Sequence, residues 1–174
     1  MTLFVLALFA CGPSSSDIAK NLESPNPVVR EDTAKIARNF GSDTVEKALI
    51  GAISDAGDKV RFNAVNSIAE LEAEQAVPAL IDRLEEEPAP LVQRAIVDAL
   101  GRLGDAKAVP TLITYLEERE DKAPPLNAIW ALGNLEDHRS LELLSRLRLS
   151  KDVYVRWNAS VALRNLRPPP ASSG

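Results

Sequence analysis

The chain has one cysteine, Cys11, and one histidine, His138, in 174 residues. A single thiol excludes an intramolecular disulfide framework. A single imidazole excludes any centre built on two or more histidines and leaves His138 as the lone imidazole base for nucleophilic catalysis. Aromatic residues make up 5% of the chain and there are 8 glycines, fewer of both than a large β-sandwich usually carries. Positive charge is in the minority: 20 Lys and Arg against 25 Asp and Glu give a net charge of −5. A nucleic-acid-binding domain needs a basic stripe to neutralise phosphates, so no nucleic-acid partner is expected. What the chain does hold is Ala, Leu, Val, Glu and Arg, which suit helices. At 45% hydrophobic it can bury a sizeable core, and its length is that of one domain.

The first sixteen residues contain no charge. The apolar run Leu3-Phe-Val-Leu-Ala-Leu-Phe9 falls well short of the ~20 residues a membrane-spanning helix needs, and fits the apolar core of a secretory signal. Leu8-Phe9-Ala10-Cys11 resembles the bacterial lipobox, departing from it in the bulk of Phe9 and in the lack of a basic residue ahead of the run. That resemblance implies a signal peptide over 1–10, a lipidated Cys11 as mature N-terminus and a flexible tether over 11–16. Gly12 after the cysteine then favours the outer membrane in a diderm. The other reading of the same residues is an apolar N-terminal helix with a buried free thiol.

Self-similarity dominates the remainder. VRFNAVNSIAELEAEQAVPALI (60–81) aligns without gaps on VQRAIVDALGRLGDAKAVPTLI (92–113). Extending the register makes Val29, Val60, Val92, Pro124 and Val155 equivalent, at a period of 31 or 32 residues. Each unit reads as two helices. Helix A covers about 29–40, 60–71, 92–103, 124–135 and 155–166. Its apolar residues recur at offsets 0, 4, 8 and 11, as in Val60, Ala64, Ile68 and Leu71, the spacing of one buried helical stripe. Offset 7 holds Ile36, Ser67, Ala99, Ala131 and Ala162, mostly small residues that allow close helix approach. Helix B covers about 44–54, 76–86, 108–119 and 140–149. Pro78 and Pro110 sit near its first turn, where a missing amide costs little. Gly104 suits the left-handed conformation that ends a helix, and Asp105 suits capping the next.

The segments ALGRLGDAKAVPTLI (99–113) and WALGNLEDHRSLELL (130–144) resemble the short HEAT-like repeats of phycobilin lyase subunits and of many bacterial scaffold proteins. The resemblance covers about residues 17–167. It implies an all-α fold, a right-handed α-α superhelix of about four full helix pairs with a partial unit at each end. Residues 17–23 read as the end of a helix B that caps the first pair. The last helix A has no partner, and Trp157 and Val161 leave its outer side open either to a terminal cap or to an interaction patch. Pro168-Pro-Pro170 stops it, and 168–174 reads as a disordered Pro/Ser tail.

Chemistry is sparse. His138 follows Asp137 in a link between helices, as a solvated or capping residue would. The carboxylate runs at 85–87 and 117–121 face different directions around a helix and form no catalytic pair. No Gly-rich phosphate loop and no His-Glu pair is present. No catalytic residue, cofactor or metal is expected. Asp32, Asn63, Ala95, Asn127 and Asn158 fall at one repeat position. A column of amides there either holds an extended peptide backbone, as in the related armadillo proteins, or ties the links together. Arg30, Arg61 and Arg156 open three of the five A helices, with Gln93 and Pro125 in the other two, and read as a ladder of bonds between units.

The chain therefore reads as a non-catalytic protein- or peptide-binding scaffold, membrane-tethered through Cys11 in the bacterial cell envelope. Its candidate contacts are Arg83, Glu86, Tyr115, Glu118, Arg146, Asn63, Asn127 and Asn158. The alternative is a phycobilin-lyase-like or other cofactor-handling HEAT-repeat enzyme subunit in the cytoplasm.

Overall fold

A computed structural model of the chain describes residues 12–119 and 123–166. Among them are ten α-helices and no strand. The described residues fall into two compact units, divided between Leu71 and Glu72, each taken by itself below.

The first unit holds α1 (Ser15–Leu22), α2 (Pro27–Ile36), α3 (Asp43–Ala52) and α4 (Asp58–Glu70). α1 is capped by Ser14, whose hydroxyl accepts from the Asp17 amide while the Asp17 carboxylate accepts from the Ser14 amide. α1 packs on α2 and α3, so it serves as the half-unit the sequence suggests. α2 opens with Pro27 behind the Asn26 cap, and α3 opens behind Ser42. The A helices α2 and α4 pack together, and α3 packs on α4.

The second unit holds α5 (Val77–Glu86), α6 (Pro90–Leu103), α7 (Val109–Glu117), α8 (Leu126–Asn134), α9 (Leu141–Leu147) and α10 (Val153–Asn165). The A helices stack in sequence, α6 on α8 and α8 on α10. Each B helix packs on the A helix that follows it: α5 on α6, α7 on α8, α9 on α10.

The expected stripe is the core. Val60, Ala64 and Ile68, and Val92, Ile96, Leu100 and Leu103, are buried. Each large aliphatic side chain taken from water contributes roughly 1.5–3 kcal/mol. Offset 7 turns out to face the preceding A helix. A Cβ on Gly101 would stand 2.7 Å from the Ala131 Cβ, and one on Gly133 would stand 2.7 Å from the Ala162 Cβ. Ser67, at the same offset, sends its hydroxyl 2.6 Å to the Ala34 carbonyl. Ile36 departs from the pattern and is exposed, because α2 has no A helix before it among the described residues.

Boundaries differ from the sequence reading for local reasons. A single 3₁₀ turn precedes three of the B helices, at Glu74–Ala76, Ala106–Ala108 and His138–Ser140, so the α-helical part starts at 77, 109 and 141. α8 starts at Leu126, not at 124. Pro125 keeps Pro124 out of the helical region and is itself extended at the N-cap. Gly104 is left-handed at φ 74°, as expected, and Asp105 caps the next turn by accepting from the Lys107 amide. The same place in the repeat is filled by Glu72 and Glu136, also at positive φ, which the sequence does not announce.

Candidate functional site

A concavity lies within the second unit, between α5, the start of α6 and α7. It has a volume of about 510 Å³. It is lined by Leu84 and Glu85 of α5, Gln93 of α6, and Pro110, Thr111, Thr114 and Tyr115 of α7, followed by Glu118 and Arg119.

The link from α5 to α6 builds the rim. Glu87 precedes Pro88 and is therefore extended, which ends α5. Its buried carboxylate accepts from Arg83 Nε at 2.9 Å and from the Ala89 amide at 2.9 Å. Its carbonyl accepts from Gln93 Nε2 at 2.5 Å, which holds the glutamine against the link. On α7, Thr111, Thr114, Tyr115 and Glu118 recur at helical spacing and so share the cleft-facing side.

The Tyr115 ring carries the Arg119 guanidinium 3.9 Å from its centroid, a cation–π contact. Arg119 also donates to the Tyr115 carbonyl at 2.9 Å and to Glu118 Oε2 at 3.0 Å. Burial pushes the Tyr115 phenol above its ordinary value; Arg119 opposes this and Asp98 adds to it. The ring is thus a neutral stacking surface with a hydroxyl donor, beside two hydroxyls, one amide and the carboxylates of Glu85 and Glu118. Such a surface can hold a charged or polar segment by hydrogen bonds, ion pairs and ring stacking. Among the described residues no group of three His, Cys, Asp or Glu side chains is placed to hold a metal ion.

The structure brings only two of the eight sequence candidates, Tyr115 and Glu118, into this cleft. Arg83 supports it from behind through Glu87, and Glu86 is exposed on α5 without lining it. Arg146, on α9, pairs with Glu117 at 3.2 Å. Asn63 lies in the first unit, in a smaller crevice of about 220 Å³ with Lys35, Arg38 and Glu70 among its lining residues. The asparagine position works as a tie. Asn63 Nδ2 reaches the Glu31 carbonyl at 3.5 Å, and Asn127 Nδ2 reaches the Arg94 carbonyl at 3.2 Å, so each spans from one A helix to the one before it. Asn127 also donates to Asp98, and Asn158 turns back to the Tyr154 carbonyl of its own helix.

The arginine position forms the ladder the sequence suggests, with a fixed stride. Arg30 donates to the carbonyl of Ser24, Arg61 to that of Asp55, Gln93 to that of Glu87 and Arg156 to that of Ser150, each six residues back. Arg30 additionally pairs with the Asp55 carboxylate at 2.6 Å. His138 is exposed in the turn capped by Asp137. Gln93, Thr111, Thr114 and Arg119 were not among the sequence candidates. The helical spacing of the two threonines with Tyr115 is the signal that could have found them. The expected signal segment 1–10, the expected lipid acceptor Cys11 and the expected tail 168–174 lie outside the described residues. No helix among the described residues is long and apolar enough to cross a membrane.

Known proteins resemble the chain in fold. One similar structure is the complex of CpcE and CpcF of phycocyanin lyase from Nostoc sp. PCC7120, at TM-score 0.76 and 24% identity over 94% of this chain and 69% of that one. Another is a designed armadillo repeat protein in complex with the peptide (KR)4, at TM-score 0.64 and 19% identity over 87% of this chain and 81% of that one. An engineered protein matches at TM-score 0.62 and 21% identity over 87% of this chain and 78% of its own. At these identities the likeness is one of fold. No curated protein matches. The family of HEAT repeats matches residues 16–96 and 77–164, most of the chain. The chain belongs to the HEAT-repeat family.

Proposed function

We propose that the chain is a non-catalytic binding scaffold whose cleft on the second unit takes an extended basic segment of a partner protein. The observation that carries this reading is the cleft itself: Tyr115 and the carboxylates of Glu85 and Glu118 stand together in a concavity of about 510 Å³. Arg119 supports it by example, since its guanidinium already lies on the Tyr115 ring and against Glu118. A partner's arginine or lysine would take over these two contacts from Arg119 and pair with Glu85 beside them. A similarly folded armadillo design is bound to a peptide of alternating lysine and arginine, (KR)4, which supports this choice of ligand charge.

The test is fluorescence anisotropy with labelled (KR)4, set against an acidic peptide of the same length. The basic peptide should bind and the acidic one should not. Glu118→Lys with Tyr115→Ala should weaken binding by at least about tenfold, the ~1.4 kcal/mol that one lost stacked or ionic contact represents. Equal binding of both peptides, or no effect of the double variant, would sink the proposal.

We further propose that Cys11 anchors the scaffold in the bacterial envelope, on the outer membrane in a diderm. The lipobox-like Leu8-Phe9-Ala10-Cys11 supports this. Metabolic labelling with a palmitate analogue should mark the wild type and leave Cys11→Ser unlabelled. A second reading, a cofactor-handling lyase subunit, is favoured by the likeness to the CpcE and CpcF complex. Titration with a linear tetrapyrrole, followed by absorbance, separates the two. A saturable spectral change would favour the lyase reading over the scaffold.

A further inference from the structure

The last helix of the second unit and the link before it carry exposed apolar side chains together with basic ones. Leu149 is 79% exposed, Val153 58%, Tyr154 69% and Trp157 63%. These four lie in the link from α9 to α10 and on the first turns of α10. Val153 and Trp157 are one helical turn apart, and Arg164 follows Trp157 two turns on, so the three share a face of α10. From 148 to 164 the sequence has four basic residues, Arg148, Lys151, Arg156 and Arg164, against one acid, Asp152, in a chain of net charge −5. All four bases are exposed. The Asp152 carboxylate caps α10, accepting from the amides of Tyr154 and Val155.

We propose that this surface docks on the headgroup region of an anionic phospholipid membrane. Tryptophan and tyrosine favour the boundary between headgroups and acyl chains, where an apolar body and a polar tip are both satisfied. Exposed Leu149 and Val153 gain by entering that boundary. Each basic side chain near a negatively charged leaflet adds to the attraction. The aliphatic pair argues against nucleic acid, since neither side chain offers a contact to phosphate. The charge argues against a symmetric pairing of two copies, which would bring the basic residues of one surface against the same residues of the other. The inference uses neither the lipid anchor nor the cleft, and stands or falls apart from both.

The test uses the full chain carrying Cys11→Ser, to remove acylation, and Trp130→Phe, which leaves Trp157 as the only indole. It is mixed with vesicles of phosphatidylethanolamine and phosphatidylglycerol, or with phosphatidylcholine vesicles alone. Trp157 emission should shift to the blue and be quenched by brominated acyl chains in the anionic vesicles only. High salt should reverse the shift. Arg148→Glu with Lys151→Glu and Arg164→Glu should weaken binding by at least about tenfold, with an unchanged far-UV dichroism spectrum. These three side chains are exposed, so their reversal spares the core. An unshifted Trp157, or binding that the triple reversal leaves intact, would overturn the proposal. So would a concentration-dependent dimer that Trp157→Ser abolishes, because the face would then belong to a second copy.

Discussion

Arg61 shows how a charged side chain can be part of a repeat core. It is buried, and its guanidinium donates to the carbonyls of Asp55 at 2.8 Å and Ala56 at 3.2 Å. Removing it leaves those carbonyls, in a part-buried turn, without their donor. Arg61→Met should therefore destabilise the first unit by about 2 kcal/mol, read as a shift in the urea midpoint. Asp55 gives the pH dependence. Burial works to raise its carboxyl, but hydrogen bonds from Arg30 and the Gly57 amide, with the charges of Arg30 and Arg61, outweigh it and hold the group below the ordinary carboxylate range. The unfolded chain then binds this proton at a higher pH than the folded one. The stabilisation is present above about pH 3.9, the usual carboxylate value, and is lost as pH falls through the folded value. Asp55→Asn should be less stable than wild type at neutral pH and converge on it in strong acid; a constant difference across the range would contradict this. The arginine position was legible because it recurs at the repeat period. The stride of six to a carbonyl was not, since a periodic arginine does not name its acceptor.

At the scale of the helices, the small residues decide spacing. Gly133 leaves no room for a side chain: an added Cβ would stand 2.7 Å from the Ala162 Cβ and 2.8 Å from its Cα. Gly51, in α3, has nothing within 4 Å of that position. The same substitution should therefore have opposite signs. Gly133→Ala should cost about 1–3 kcal/mol by forcing α8 and α10 apart, whereas Gly51→Ala should gain a few tenths to about 1 kcal/mol through helix propensity and a less disordered unfolded chain. Thermal unfolding of the two variants measures both. Helix number, pairing and the buried stripe could be read from the repeat alone, because burial of one face is what sets the 3.6-residue spacing. The 3₁₀ turns ahead of three B helices could not, because they depend on how the link closes. Glu72 and Glu136 were equally silent: only glycine advertises a left-handed position, and here the repeat frame imposes it on glutamates.

For the molecule as a whole, the sequence was clearer about architecture than about the site. Tyr115 and Glu118 were picked out from polarity and size, and they do stand together. The asparagine position carried two readings, a hold on a peptide or a tie between units, and Asn63 and Asn127 spend their amides on the preceding A helix. The difference is one of tertiary packing: a side chain at a helix–helix seam meets a carbonyl, and one on the open side of α7 meets solvent. The central claim is that the second unit's cleft binds a basic peptide segment. The measurement that tests it most directly is a titration of isotope-labelled protein with (KR)4, followed through backbone amide chemical shifts. The account predicts shifts concentrated at Glu85, Gln93, Thr111, Thr114, Tyr115 and Arg119, saturating with one affinity. Shifts that map to the crevice around Asn63 and Arg38 in the first unit, or no saturable shift at all, would contradict it.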